Sequence, residues 1–223
     1  DFASVLDIIE RMKDKGLTPS RYTYSTLVSA YLRNNDIEAA EGIIDDMTEK
    51  GMTPDLVLYT QLVTYHAKKK NYSKMNETLH SLERRGLSPD SKLICILFSV
   101  YAETKTLGEL FEFVDSLKAK RKMNVQVYNG LVTSLCLLNT QEAGDRLNSV
   151  LNEMKERKMN LSHSSLISLI RFKLKIGRVE EANQHAKEMI ASYGYPYGGL
   201  LQNIQDANSR KGISSDYLIP SKQ

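Results

Sequence analysis

Few side chains in this 223-residue chain are spaced for bond-making chemistry. Cys95 and Cys136 lie 41 residues apart, outside any Cys-x-x-Cys or metal-ligand spacing, and read as two reduced thiols on helices of an intracellular protein. The four histidines share no register, and His66 reads as a partly buried core residue. Asp45-Asp46 and Glu180-Glu181 fall on stretches of helical periodicity as exposed charge rather than as a catalytic carboxylate pair. No phosphate-cradling glycine loop, His-Glu-x-x-His, Gly-x-Ser-x-Gly or zinc-deaminase signature occurs, nor an acidic cluster suited to metal-dependent phosphodiester cleavage. Neither catalysis nor a cofactor is expected. The chemistry left is that of binding. Lys68-Lys69-Lys70 and the group Lys118, Lys120, Arg121 and Lys122 could meet phosphates, or simply solvate helix ends, where cations suit the dipole. A formal charge of +3 and a pI of about 8.7 permit an anionic partner without requiring one.

The elements that position these groups announce themselves by repetition. Gly16, Gly51 and Gly86 are 35 residues apart, as are Pro19, Pro54 and Pro89, within Lys15-Gly16-Leu17-Thr18-Pro19-Ser20, Lys50-Gly51-Met52-Thr53-Pro54-Asp55 and Arg85-Gly86-Leu87-Ser88-Pro89-Asp90. A fixed period of this size means one supersecondary unit stacked on copies of itself, so that function belongs to an extended surface. Composition agrees: 41% hydrophobic and 26% charged, with 5 Pro, describe an ordered chain. No stretch has the roughly 18 apolar residues of a membrane span.

Tyr24 and Tyr59, Leu27-Val28 and Leu62-Val63, Tyr31 and His66, and Met47 and Leu82 recur at offsets of 3, 4 and 7, the apolar stripe of an amphipathic helix. Two helices per unit are expected, at about positions 4–13 and 17–30, turning at Asn34-Asn35-Asp36 and at Gly177. Gly at position 31 suits a helix C-cap, and Pro three residues later stops the helix from resuming. The units are expected at 21–55, 56–90, 91–124 (degenerate), 125–162 (with an insertion) and 163–197 (degenerate). Residues 1–20 match the second helix of a truncated unit, and 198–223 form a C-terminal cap and tail, with a short helix over 200–207 and a mobile end. Because Asp1 falls inside a unit, upstream repeats and any targeting segment are expected before it. One residue is lost in the loop before Val125, and three are gained at the turn around Leu138-Asn139-Thr140. Met12, Met47, Met154 and Met189 share one register and read as core.

Tyr24-Ser25-Thr26-Leu27-Val28 opening a unit, Ile37-Glu38-Ala39-Ala40 starting its second helix and Met47 to Asp55 closing it together resemble the pentatricopeptide repeat, over roughly residues 1–197. A tetratricopeptide array has a period near 34 and lacks the Pro-Asp close. The resemblance implies an all-α solenoid, a right-handed superhelix of about five antiparallel helix hairpins. Its first helices would line a groove for single-stranded RNA, each unit reading one base with positions 5 and 35.

Those positions hold Ser25 with Asp55, Thr60 with Asp90, Cys95 with Asn124, and Asn129 with Ser162. A carboxylate only accepts hydrogen bonds, so Asp suits base edges presenting N–H groups, guanine or uracil. The family pattern assigns Thr with Asp to guanine; Ser25 with Asp55 leans the same way, and Asn129 with Ser162 resembles a pyrimidine reader. Cys95 with Asn124 matches no reading rule. Ile167, at position 5 of the last unit, has no group to select a base. Position 2, which sandwiches the base in this family, holds Tyr22, Val57, Lys92 and Gln126. Arg33, Lys68 and Lys175 at position 13 would contact phosphates, while Glu103 and Leu137 interrupt that track. Base recognition contributes roughly 1 to 3 kcal/mol per position, so three readers supply on the order of 2 to 7 kcal/mol, too little to select one RNA alone.

The resemblance thus implies a non-catalytic, guanine-favouring binder of single-stranded RNA in a mitochondrion or chloroplast, serving RNA processing, splicing, stability or translation. Two other roles stay open: a structural subunit of an organellar ribosome, holding ribosomal RNA and proteins, and a protein-only helical scaffold.

Overall fold

The computed structural model describes residues 11–12, 14–104, 107–138, 140–194, 196 and 198–218. Expectations about residues 1–10, the turn residue Asn139, Tyr195, Tyr197 and the last five residues lie outside these. From Arg21 onward the described residues form eleven α-helices, one short 3₁₀ turn and no strand: α1 (Arg21–Arg33), α2 (Ile37–Glu49), α3 (Leu56–Lys68), α4 (Tyr72–Arg84), α5 (Ser91–Thr104), α6 (Leu107–Ala119), α7 (Val125–Leu138), α8 (Gln141–Glu156), α9 (His163–Lys175), α10 (Val179–Tyr193) and α11 (Gly198–Lys211). This is the all-α solenoid of helix hairpins. The chain forms two compact units, Asp1–Leu93 and Ile94–Gln223.

Both ends of the helices are chemically specified. At N-termini, a side-chain oxygen satisfies one of the orphan backbone donors: Asp36 accepts from Ala39 N at 3.1 Å, Asn71 from Lys74 N at 3.2 Å and Thr140 from Ala143 N at 3.1 Å. At C-termini the chain turns left-handed and closes a Schellman motif. Gly51 (φ 71°) donates to Thr48 O at 2.9 Å while Met52 N reaches Met47 O at 3.0 Å, and the same pair of bonds recurs at Gly86. The period persists there beyond the glycines. Arg121 (φ 54°) and Lys158 (φ 55°) occupy the same left-handed position, Arg121 standing 35 residues after Gly86, with Lys122 N bonded to Leu117 O at 2.9 Å.

In the first unit α1 packs on α2, α3 on α4, and α1 on α3. Its core holds Tyr24, Leu27, Val28, Tyr31, Ala40, Met47 and Leu58, all nearly inaccessible. Each large aliphatic side chain among them contributes roughly 1.5 to 3 kcal/mol of burial, enough together to hold 13-residue helices that would fray alone. In the second unit α7 packs on α8 and α9, α9 on α10, and α11 on both α9 and α10; α5 and α6 meet through the Phe98 and Phe113 rings, 5.8 Å apart. Its core runs from Ile94 through Leu131, Leu147 and Met189 to Leu218. Met47, Met154 and Met189 are buried as the stripe requires, Met12 is half-buried, and His66 is buried.

Two expectations change. The three extra residues are not in the turn: α8 begins 16 residues after Val125, the spacing of Ile37 from Arg21, and runs 16 residues instead of 13. Three residues make nearly one helical turn, so Met154 returns to the core face after the insertion. At the C-terminus the capping helix is not confined to 200–207. It covers Gly198–Lys211, because Leu200, Ile204 and Asn208 continue the buried stripe, and a 3₁₀ turn at Asp216–Leu218 then buries Leu218.

Candidate nucleic-acid interface

The first helix of each hairpin carries the residues expected to meet RNA, and its N-cap decides how they are held. Asp55 Oδ1 accepts from Leu58 N at 3.0 Å, Asp90 Oδ1 from Leu93 N at 2.8 Å, Asn124 Oδ1 from Val127 N at 3.0 Å, and Ser162 Oγ from Ser165 N at 3.2 Å. Every position-35 residue is thus the N-cap of the next first helix. The sequence reading missed this role, although Asp after Pro and before an apolar helical run is an N-cap signal. The cap uses one carboxylate oxygen of Asp55 and Asp90 and leaves the other, fixed in direction, for a further donor.

Position 5 lies one turn into the same helices. Ser25 Oγ donates to Arg21 O at 3.1 Å and Thr60 Oγ1 to Leu56 O at 2.7 Å, so each hydroxyl has spent its proton and keeps only acceptor capacity. No hydrogen bond joins Ser25 to Asp55 or Thr60 to Asp90. Ser25 is half-buried, whereas Thr60 retains 6% of its surface.

The second unit is wired differently. Asn129 donates its amide to Val125 O at 2.8 Å and Asn160 O at 3.2 Å, and its oxygen accepts Ser162 N at 2.6 Å. The 5 and 35 residues of this hairpin therefore meet each other. Cys95 Sγ contacts Gln126 O at 3.7 Å, and Gly130 leaves it room, since a Cβ at 130 would stand 2.4 Å from that sulfur. Both cysteines are free thiols on helices; burial pushes the Cys136 thiol up to about 12, which leaves it unreactive.

Position 2 is uniformly open. Tyr22 is 82% exposed and Val57 58%, and Lys92 and Gln126 are exposed too. Two large apolar side chains held in water at one register position serve no core. Arg33, Lys68 and Lys175 are exposed at the last turns of α1, α3 and α9 without an acidic partner among the described residues. Exposed Glu103 and Leu137 stand at the equivalent places of α5 and α7.

Helix hairpins at a 35-residue period, with a polar N-cap opening each first helix and an open position 2, define a helical-repeat protein. Residues 1–127 match the model of the pentacotripeptide-repeat region of PRORP. The chain belongs to the pentatricopeptide repeat family. Among solved structures it is similar to the pentatricopeptide repeat protein PPR10 from maize, at 21% identity and a TM-score of 0.68, covering 95% of this chain and 34% of that one. It is also similar to PPR10 in complex with an 18-nt psaJ RNA element, at 20% identity and a TM-score of 0.63, covering 98% and 38%. A third likeness is to nuclear proteinaceous RNase P 2 from A. thaliana, at 14% identity and a TM-score of 0.59, covering 86% and 43%. At these identities the likeness is one of fold, and the chain spans less than half the length of each structure. No curated protein sequence matches. No described helix is long and apolar enough to cross a membrane.

Proposed function

We propose that this chain binds single-stranded RNA with a bias toward guanine at two adjacent repeats, Ser25 with Asp55 and Thr60 with Asp90. One observation carries this reading: each pair presents only acceptors, a hydroxyl whose proton is committed to the backbone and a carboxylate oxygen left over from capping. The Watson–Crick edge of guanine offers two adjacent donors, N1–H and N2–H, and fits two acceptors, whereas uracil offers one donor between two acceptors. Tyr22 and Val57 flank the same register and supply the stacking surface, and Arg33 and Lys68 the phosphate contacts. The RNA complex of PPR10 supports a groove of this kind by fold.

In the second unit Asn129 and Ser162 are already bonded to each other, so a pyrimidine there takes over one of those bonds; Cys95 with Asn124 contributes shape rather than selection. The described residues hold RNA without chemistry of their own, and the role is post-transcriptional RNA metabolism in a mitochondrion or chloroplast. The match to the repeat region of PRORP favours a second reading, in which the array is the RNA-holding arm of a longer enzyme. A ribosomal scaffold remains the alternative if the groove selects no base.

Selection from a random single-stranded RNA pool tests the reading. Enrichment of adjacent guanines, weakened steeply by salt, is expected; an unenriched pool would contradict it. Imaging of the full-length protein in cells tests the organelle.

A further inference from the structure

We infer that the loop edge of the second unit is a second RNA surface, one that takes the phosphates of a base-paired segment. This rests on the single-strand reading above only in that the ligand is RNA. The segment Lys118–Asn124 holds four basic residues and no acidic one, and Lys155, Arg157 and Lys158, with one exposed acid, Glu156, among them, occupy the matching end of the next hairpin. The two ends are adjacent: Lys118 Nζ and Arg157 Nη2 both lie 2.9 Å from Glu153, one on each carboxylate oxygen. Glu153 also accepts the Tyr128 hydroxyl at 2.5 Å, and the Arg157 guanidinium stacks 5.6 Å over that ring. That leaves Lys120, Arg121, Lys155 and Lys158 exposed and without an acidic partner among the described residues.

Helix-end cations alone would be ordinary, since the dipole welcomes them and Lys50 and Arg85 do the same in the first unit. The departure is at the left-handed position itself. Gly51 and Gly86 hold it without strain, but here Arg121 and Lys158 hold it at φ 54° and 55°. A side chain is strained there, as Lys70 (φ 57°) also is just after α3; the second unit gives up glycine at the ends of α6 and α8, two successive second helices, and gains a cation at each. The backbone at both positions is held, because Arg121 N bonds Lys118 O and Lys158 N bonds Lys155 O, each at 3.0 Å, so both side chains start from defined points on the edge. Clustered cations suit a dense array of phosphates. A duplex carries more phosphate charge per unit length than a single strand and holds it in a regular backbone.

The test is the double substitution Arg121→Gly and Lys158→Gly, which removes two charges and relieves strain, so lost binding cannot be blamed on lost folding. The probes are an RNA hairpin carrying a single-stranded guanine-containing tail and the tail alone. Hairpin-tail affinity should fall about fivefold to tenfold, its salt slope should drop by about 1.5, and tail affinity should stay put. The charge-preserving pair Arg121→Lys and Lys158→Arg should bind like the parent. Unchanged hairpin-tail affinity overturns the proposal. Equal losses for both probes also overturn it, because the cations then serve the single-strand groove. Loss of binding to polyglutamate with hairpin binding intact would assign the edge to an acidic protein instead. Failure of the groove reading shows separately, as no binding of the tail by the parent protein.

Discussion

The side-chain oxygen of Asn129 accepts the backbone N–H of Ser162 at 2.6 Å, while its amide donates to Val125 O and Asn160 O. Two of these three bonds, to Asn160 O and from Ser162 N, tie the start of α7 to the loop that launches α9. Asn129→Ala leaves a backbone donor and a carbonyl without partners and should cost about 2 to 4 kcal/mol. Chemical denaturation measures this. A loss below about 0.5 kcal/mol would show that the clamp is dispensable.

Tyr22 offers the opposite case. With 82% of its surface in water it contributes little to folding, so Tyr22→Ala should leave the melting temperature within a degree or so. Its stacking role predicts a fall in affinity for guanine-containing RNA of about fivefold to a hundredfold, equivalent to roughly 1 to 3 kcal/mol. Fluorescence anisotropy beside a thermal melt separates the two effects.

Glycine at Arg121 or Lys158 should stabilise the fold by roughly 0.5 to 1 kcal/mol each, since φ is already positive there. The opposite change, Gly86→Ala at φ 71°, should destabilise by a similar amount. Urea midpoints compare all three; destabilisation by either glycine would contradict the strain argument.

Lys173 is 1% exposed, with Nζ 2.6 Å from Glu181 Oε2 and 3.1 Å from Asn148 Oδ1. The Lys173 hydrogen bond holds the Glu181 carboxyl below its ordinary range, against burial, which pushes it up. The folded state therefore binds that proton less readily than the unfolded chain. The stability gained is present above the ordinary carboxylate value and lost as pH falls through the folded one. Burial holds His66 and His185 below 6.5, so the unfolded chain is protonated first and stability also declines as pH drops below about 6.5. Denaturation midpoints should fall in two stages between pH 8 and pH 3.5, and His66→Gln should reduce the first. At pH 7, Glu181→Gln leaves a buried ammonium poorly paired and should cost about 2 to 4 kcal/mol, whereas Lys173→Met should cost about 1 kcal/mol or less. A profile flat from pH 8 to 5 would contradict the histidine part.

The hairpins were legible in the sequence because Gly16, Gly51, Gly86 and their prolines mark helix ends directly, and because Tyr24, Leu27, Val28 and Tyr31 trace one face. Where glycine is absent the mark vanishes. Arg121 and Lys158 keep the left-handed turn through the same backbone bonds, which a reading of residue types does not see. A turn is the natural place for added length, yet α8 takes the insertion, since a helix can grow by a turn without moving its stripe. Candidate readers were found by register, but their bonding was not. Nothing in the letters Asn129 and Ser162 says that they meet, and Lys173 in an otherwise apolar stripe gave no sign of its acidic partner.

Base selection at Thr60 tests the central claim most directly. Asparagine there replaces a hydroxyl that only accepts with an amide that also donates, which opposes the N–H groups of guanine and suits a carbonyl of uracil. Random-pool selection with the Thr60→Asn protein, run beside the parent, should move one position of the enriched motif from guanine to uracil and leave its neighbour, read by Ser25 and Asp55, unchanged. An identical motif from both proteins would contradict base reading by this pair.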